Sequence, residues 1–147
     1  MKYVVLILGF FIAFSCNKVD ENKLIKNKEG EKITKKYSGK ALAQTKYNIA
    51  KKELGKSLVM LEVGSDSCKS CKVMGKMLQE IKEDNPKFKV YFIDVGKERV
   101  AAKELKVRMI PTQIFYDKNA KEIFRHVGKF KNKDLLIKKL KSLGFDI

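Results

Sequence analysis

A cysteine pair that follows a short apolar run and opens a helical pattern constrains the fold of this chain more than any other feature. The run occupies residues 58–63 and is interrupted only by Glu62. Its length and composition are typical of a buried central strand. Cys68 and Cys71 come next, and a helical pattern continues from Cys68 to about Glu83. The sequence therefore predicts a strand, a short loop and a helix that begins at the cysteines.

The remaining hydrophobic periodicity predicts three more strands and three more helices. The strands are expected at residues 88–95, 112–116 and 122–127, and the helices at residues 41–54, 98–105 and 133–143. Asn132 is suited to cap the last helix, which Gly144 would end. This order of elements predicts an α/β domain in which a central mixed β-sheet is flanked by helices on both faces.

Residues 1–16 have the pattern of an export signal. A short positive start precedes an apolar run at residues 3–14, which is shorter than the roughly 20 residues that span a bilayer. Its length and flanks favour a secretory signal peptide. The end of the run, Ala13-Phe14-Ser15-Cys16, resembles the lipobox of bacterial lipoproteins, in which the cysteine is acylated. Ordinary cleavage after Ser15 and an uncleaved anchor are the alternatives.

The cysteine count favours acylation among these three outcomes. The chain has 3 cysteines, an odd number for an exported protein. Two of them form the close pair at Cys68 and Cys71, and the third, Cys16, stands where the lipid would be attached. Lipidation of Cys16 would therefore leave no stray thiol.

The chain beyond the signal divides into a polar segment and a globular domain. Residues 17–40 are lysine-rich and show no sustained period, so they are predicted to form a tether to a domain at residues 41–147. The net charge of +16 comes almost wholly from lysine. Nucleic-acid-binding proteins usually concentrate basic and aromatic residues on one surface. The lysines here are scattered, so we expect no nucleic-acid partner, whereas an anionic membrane face would attract the chain.

The start of a helix is a favourable place for a reactive thiol. Free N–H groups and the positive end of the helix dipole stabilise a thiolate at Cys68, and Lys69 and Lys72 add positive charge. Cys68 is therefore predicted to be the exposed nucleophile, and Cys71 the more shielded resolving cysteine.

Two other interpretations of the cysteine pair are weaker. A zinc site needs about four ligands, and the only remaining soft candidates are Cys16 and the single histidine, His126. A structural disulfide that closes so small a loop would constrain the unfolded chain little. We therefore expect redox chemistry that needs neither a metal nor another cofactor.

The sequence resembles the thioredoxin superfamily over residues 41–144. The resemblance rests on the apolar run with the cysteine pair and on two downstream motifs. These motifs are Val107-Arg108-Met109-Ile110-Pro111-Thr112 and Val127-Gly128. The resemblance implies a thioredoxin-like fold in which Pro111 follows a cis peptide bond and faces the cysteine pair. It also implies a substrate groove formed by Lys69, Ser70, Ile110, Pro111 and Gly128.

The resemblance further implies a role for Glu62. This residue lies six positions before Cys68, where members of the family carry a buried acid that relays protons to the second cysteine. Burial would raise the pKa of the carboxyl, which suits acid–base work. An edge or solvent-facing position is the alternative. His126 is interpreted as structural, since no partners for a catalytic set are evident.

Three places depart from the common family pattern: Ser67, Lys69-Ser70 and Phe92. The pattern around the cysteine pair, with Lys72 after it, resembles periplasmic thioredoxin-like proteins such as the C-terminal domain of the membrane thiol:disulfide interchange reductase. It predicts an exported thiol–disulfide oxidoreductase that acts on protein disulfides. The reducing direction is favoured because Ile110 before the proline resembles reducing members of the family.

The expected location is the periplasm or the outer face of the cell envelope, with a lipid anchor. Recycling would require a membrane-embedded redox partner that passes electrons outward. The alternative function is a binding or chaperone-like lipoprotein that keeps the thioredoxin fold without redox turnover.

Overall fold

The computed structural model describes residues 39–147. The predicted signal with Cys16 and all of the predicted tether except its last two residues lie outside the described residues. Within them, no helix is both long enough and apolar enough to cross a bilayer. The described elements, in chain order, are α1 (Tyr47–Lys51), β1 (Val59–Gly64), α2 (Lys69–Asp84), β2 (Val90–Asp94), α3 (Arg99–Glu104), β3 (Thr112–Tyr116), β4 (Glu122–Val127) and α4 (Lys133–Ser142).

The four strands form one mixed sheet in the order β2-β1-β3-β4. β1 pairs in parallel with β2 and antiparallel with β3, which in turn pairs antiparallel with β4. β1 is therefore a central strand, and all of its residues are buried. The apolar run, interrupted only by Glu62, that predicted a buried central strand is explained by this position.

Both faces of the sheet carry a hydrophobic core. Met60 of β1 belongs to a cluster with residues of α2 and α4. Leu61, the next residue, points to the opposite face and belongs to a cluster with residues of α1 and α3. This alternation follows from the two-residue period of a strand. The predicted α/β fold, with helices on both faces of a mixed sheet, is confirmed.

The prediction of a helix over residues 41–54 is wrong in its first part. Only Tyr47–Lys51 is helical. The N–H of Leu42 donates to the carbonyl of Gly75 at 2.9 Å, and the N–H of Thr45 donates to the carbonyl of Phe92 at 2.8 Å. This stretch is extended because it buries Leu42 against α2 and adds a bridge to the edge of β2. Tertiary packing thus competes successfully with the local helical spacing.

The ends of the last helix agree with the sequence prediction. The side chain of Asn132 accepts a hydrogen bond from the N–H of Leu135 at 2.9 Å, which caps α4. Gly144 follows the helix with φ +87°, in the left-handed region that glycine adopts without strain.

Candidate active site

The cysteine pair lies where β1 leads into α2. Cys68 is the N-cap residue of α2, and its Sγ accepts a hydrogen bond from the N–H of Cys71 at 3.2 Å. The two residues form a disulfide, with their Cα atoms 5.2 Å apart. Cys68 is half-buried, whereas Cys71 is only 3% exposed. The pair can therefore exchange electrons through Cys68 while Cys71 stays shielded.

The loop before Cys68 is tied to the end of the neighbouring strand β2. The buried Asp94 accepts hydrogen bonds from the N–H groups of Gly96 at 2.8 Å and Asp66 at 3.3 Å. Lys97 binds Asp66 at 2.8 Å, and this hydrogen bond lowers the pKa of Asp66. Sequence reasoning missed Asp94 and Lys97, although an acid near the end of the apolar strand predicted at residues 88–95 was a usable signal.

Gly64 allows Cys71 to pack directly on the backbone of β1. A Cβ atom at this position would lie 3.0 Å from both the Cβ and the Sγ of Cys71, and 3.1 Å from a ring carbon of Phe92. Sequence reasoning missed this contact as well, because it joins two residues on different elements. The sulfur of Cys71 thus lies against the end of the central strand.

The loop that carries Pro111 meets the same end of β1. Thr112, the residue after the proline, pairs with Val63, and the Ile110–Pro111 peptide bond is cis. The N–H of Gly128 donates to the carbonyl of Pro111 at 2.7 Å. The structure therefore brings the predicted groove residues on α2, before β3 and after β4 to one end of the sheet.

Several side chains at this end are available to a partner. Met109 is 67% exposed, Ile110 is 36% exposed and Val127 is 51% exposed. Lys69 is exposed and Ser70 is half-buried at the start of α2. An added Cβ at Gly128 would meet nothing within 4 Å, so this glycine leaves the surface open. The assignment of these residues to a substrate groove stays a prediction.

Glu62 lies in the middle of β1 with no exposure to solvent. The alternative of an edge or solvent-facing position is therefore wrong. The Nε2 of Gln113 donates to its Oε2 at 2.9 Å. Burial raises the pKa of Glu62 from 4.5 to about 8, and the hydrogen bond from Gln113 opposes this shift.

Glu62 shares a face of the sheet with the sulfur of Cys71. Because side chains alternate along a strand, Glu62 and Gly64 face the same way, and Cys71 packs on Gly64. A buried acid with a raised pKa on the same face of the sheet as the shielded cysteine has the properties of a group that exchanges a proton near neutral pH. The catalytic role of Glu62 stays a prediction.

His126 lies on β4 and is half-buried. Its ring stands 4.2 Å from that of Phe130, which belongs to the core between α2 and the sheet. The packing is what a structural histidine would show, but the register also places His126 opposite Gln113. Sequence reasoning did not identify Gln113, since nothing local links it to Glu62, which lies 51 residues earlier.

Comparison with known proteins gives one consistent match. Residues 43–143 match the family model described as a thioredoxin-like domain. A thioredoxin of Chlamydia trachomatis is 31% identical over 85 residues, which cover 58% of this chain and 81% of that protein. A thioredoxin of Chlamydia muridarum is 29% identical over 85 residues, with the same coverage of 58% and 81%.

Solved structures show the same fold at low sequence identity. Chloroplastic thioredoxin z is 14% identical, with a TM-score of 0.62 over 71% of this chain and 96% of that structure. Oxidised mitochondrial thioredoxin 3 of Saccharomyces cerevisiae is 20% identical, with a TM-score of 0.56 over 69% of this chain and 94% of that structure.

Proposed function

Because the chain belongs to the thioredoxin-like domain family, we propose that it is an exported thiol–disulfide oxidoreductase that reduces protein disulfides. Activity as a thiol–disulfide oxidoreductase on protein disulfides follows from the family and from the cysteine pair. The export, the reducing direction and the residue roles are the proposed part. One observation carries the proposal: a half-exposed Cys68 is bonded to a buried Cys71 at the start of α2.

The proposed reaction has two exchange steps. The Cys68 thiolate attacks a substrate disulfide, so that one substrate sulfur leaves as a thiolate and the other is bonded to Cys68. Glu62 accepts the proton of the Cys71 thiol, and the Cys71 thiolate then attacks the Sγ of Cys68. The second substrate sulfur leaves, the Cys68–Cys71 disulfide remains, and two electrons have passed to the substrate.

The expected substrate groove fits a strand of partner protein. Ile110 and Met109 present exposed apolar side chains at the end of the sheet where β1 leads into the cysteine pair, and Gly128 leaves open space. The proposed partners are therefore extended segments of proteins that contain a disulfide. A membrane-embedded redox partner would return the Cys68–Cys71 disulfide to the dithiol.

Insulin reduction tests the proposed redox role. The parent protein, recycled by a small dithiol, should accelerate the reduction of insulin disulfides, and the Cys68→Ser variant should lose the acceleration. The Cys16→Ser variant is the matched control, since it also removes one cysteine and should keep full activity. Activity that survives Cys68→Ser, or that is missing from the parent, would overturn the redox proposal in favour of a binding or chaperone-like protein.

The reduction potential of the Cys68–Cys71 couple tests the direction. A value near the approximately −270 mV of thioredoxin supports a reductase. A value near the approximately −120 mV of the strongest oxidants of this class would make the protein an oxidant instead.

The proposed export and lipid anchor rest on residues 1–16, where an apolar run ends in Ala13-Phe14-Ser15-Cys16. In a bacterial host, the parent protein should incorporate labelled fatty acid and be recovered with membranes. The Cys16→Ser variant should lose both properties. Labelling that persists in Cys16→Ser, or that is absent from the parent, would contradict acylation at Cys16.

A further inference from the structure

Three polar side chains from three strands form one row across the sheet. Glu62 of β1 pairs in register with Gln113 of β3, and Gln113 pairs with His126 of β4. Residues directly opposite each other on antiparallel strands project to the same face, with their Cβ atoms about 5 Å apart. Glu62, Gln113 and His126, called the polar row below, therefore run from the centre of the sheet to its edge.

Each member of the polar row has a buried polar atom without a hydrogen-bond partner. These atoms are Glu62 Oε1, Gln113 Oε1 and His126 Nε2, and residues 39–147 contain no other such side-chain atom. Unpaired buried polar groups are rare because they are costly, and each one calls for an explanation. Because all three atoms lie in a single row, one function that involves all three side chains would explain them.

Only one link of the polar row is closed in the structure, the 2.9 Å hydrogen bond from Gln113 Nε2 to Glu62 Oε2. A carboxamide can meet a carboxyl in two ways: its nitrogen donates to a carboxylate, or its oxygen accepts from a protonated carboxyl. Whatever holds the oxygen of Gln113 therefore decides which form of Glu62 is favoured. The unpartnered Nε2 of His126 lies on the neighbouring strand, directly opposite Gln113.

We propose that Gln113 and His126 are positioning residues for Glu62. A shift of His126 towards Gln113 would let its Nε2–H donate to the Oε1 of Gln113, a hydrogen bond that is not made in the structure, and would keep the amide nitrogen of Gln113 directed at Glu62. The carboxylate form of Glu62 is thereby stabilised and can accept the proton of the Cys71 thiol. This inference rests on the proposed role of Glu62 as the base for Cys71.

The side chains packed around the polar row are aromatic or contain sulfur, so the positioning of Glu62 depends on Gln113 and His126. On the Glu62 side, β2 presents Phe92, and on the helical side, α2 presents Cys71 and Met74. On the His126 side, the segment after β4 presents Phe130, whose N–H donates to the Sδ of Met74 at 3.3 Å.

The charged groups on the elements around the polar row have other positions or partners. On the side of α4, the Nζ of Lys139 stands 4.4 Å from the ring centroid of Phe124. Lys129 and Lys131 flank Phe130 and are exposed. Among the described residues, the only buried acid besides Glu62 is Asp94, which accepts hydrogen bonds from Gly96 and Asp66 at the end of β2. Gln113 and His126 are thus the polar side chains that can affect the pKa of Glu62 most directly.

The test is a carboxyl titration of Glu62, followed by carbon NMR in the oxidised full-length protein. Gln113→Met keeps the length of the side chain but removes its donor, and it should raise the titration midpoint of Glu62 by about one pH unit. His126→Phe keeps the ring that packs on Phe130 and should also raise the midpoint. Phe124→Leu, a core change on the same strand and face, is the control and should leave the midpoint unchanged.

A double variant shows whether His126 acts through Gln113. In the Gln113→Met background, His126→Phe should cause no further shift, because the residue that His126 positions is gone. The inference is overturned if His126→Phe leaves the midpoint at its parent value, or shifts it equally in both backgrounds.

The pH profile of insulin reduction separates this inference from the proposed function. In both single variants the rise of activity with pH should move to higher pH together with the Glu62 midpoint. A midpoint that moves while the activity profile stays in place supports the positioning of Glu62 by Gln113 and His126, and it overturns the role of Glu62 as the base.

Discussion

Glu62 shows how the ionisation of one buried residue affects the stability of the fold. Its carboxyl is fully buried on the central strand, and burial raises its pKa from 4.5 to about 8. Between these two values the folded protein binds a proton at Glu62 that the unfolded chain has released. The free energy of unfolding must therefore fall as the pH rises through this range.

We expect Glu62→Gln to remove most of this pH dependence. In the parent protein, the contribution of Glu62 to stability should be fully present below about pH 4.5 and lost as the pH rises through about 8, a change on the order of a few kcal/mol. Urea unfolding of the oxidised proteins at pH 5, 7 and 9 measures it. An equally steep decline in Glu62→Gln would show that other groups cause it.

Gly64 is a second residue whose effect depends on a single contact. We expect Gly64→Ala to lower the free energy of unfolding by about 1–3 kcal/mol, because the added methyl group presses on Cys71 and Phe92. Gly39→Ala is the matched control, since a Cβ there meets nothing within 4 Å. Thermal unfolding of the two variants compares them, and equal stability would contradict the packing of Cys71 on β1.

At the scale of elements, the ends of the last helix followed from local sequence better than the extent of the first helix did. Asn132 caps α4 as predicted, because a cap depends on residues three positions apart. The stretch before α1 is extended although its apolar spacing suggested a helix. Its backbone hydrogen bonds go to Gly75 and Phe92 on other elements, and no local pattern reveals partners so distant in sequence.

The cap of α4 gives a prediction for a whole element. Asn132→Ala should destabilise the protein by about 1 kcal/mol, since the N–H of Leu135 loses its side-chain acceptor. Lys138→Ala, an exposed change within the same helix, should have a much smaller effect. Chemical unfolding of both variants tests the difference, and a neutral Asn132→Ala would mean that water replaces the cap without cost.

At the scale of the whole molecule, the net charge of +16 should influence which disulfides the protein reaches. Lys69 and Lys72 are exposed at the start of α2, and Arg108 is exposed beside the loop of Pro111. A positive field near the site raises the association rate of acidic partners and is screened by salt.

We therefore expect kcat/KM for an acidic protein disulfide to fall about tenfold between low and high salt. A basic protein disulfide should show no such fall, and an uncharged small disulfide serves as the control for effects of salt on the chemistry itself. Equal salt dependence for acidic and basic substrates would contradict electrostatic steering.

The sequence by itself determined the parts of this protein that depend on near neighbours along the chain. The apolar run of β1, the cysteine pair at the start of α2 and the cap of α4 are each set within a few residues, and each was predicted. Recognition of the Pro111 motif added the expectation that two segments about 40 residues apart form one site.

Only the tertiary structure decided which distant side chains meet. Strand register places Gln113 between Glu62 and His126, and close packing places Cys71 on Gly64. Register and packing result from burying both faces of the sheet at once, so a local pattern does not contain them. The environment of Glu62, which sets the pKa of its carboxyl, is therefore determined by the tertiary structure.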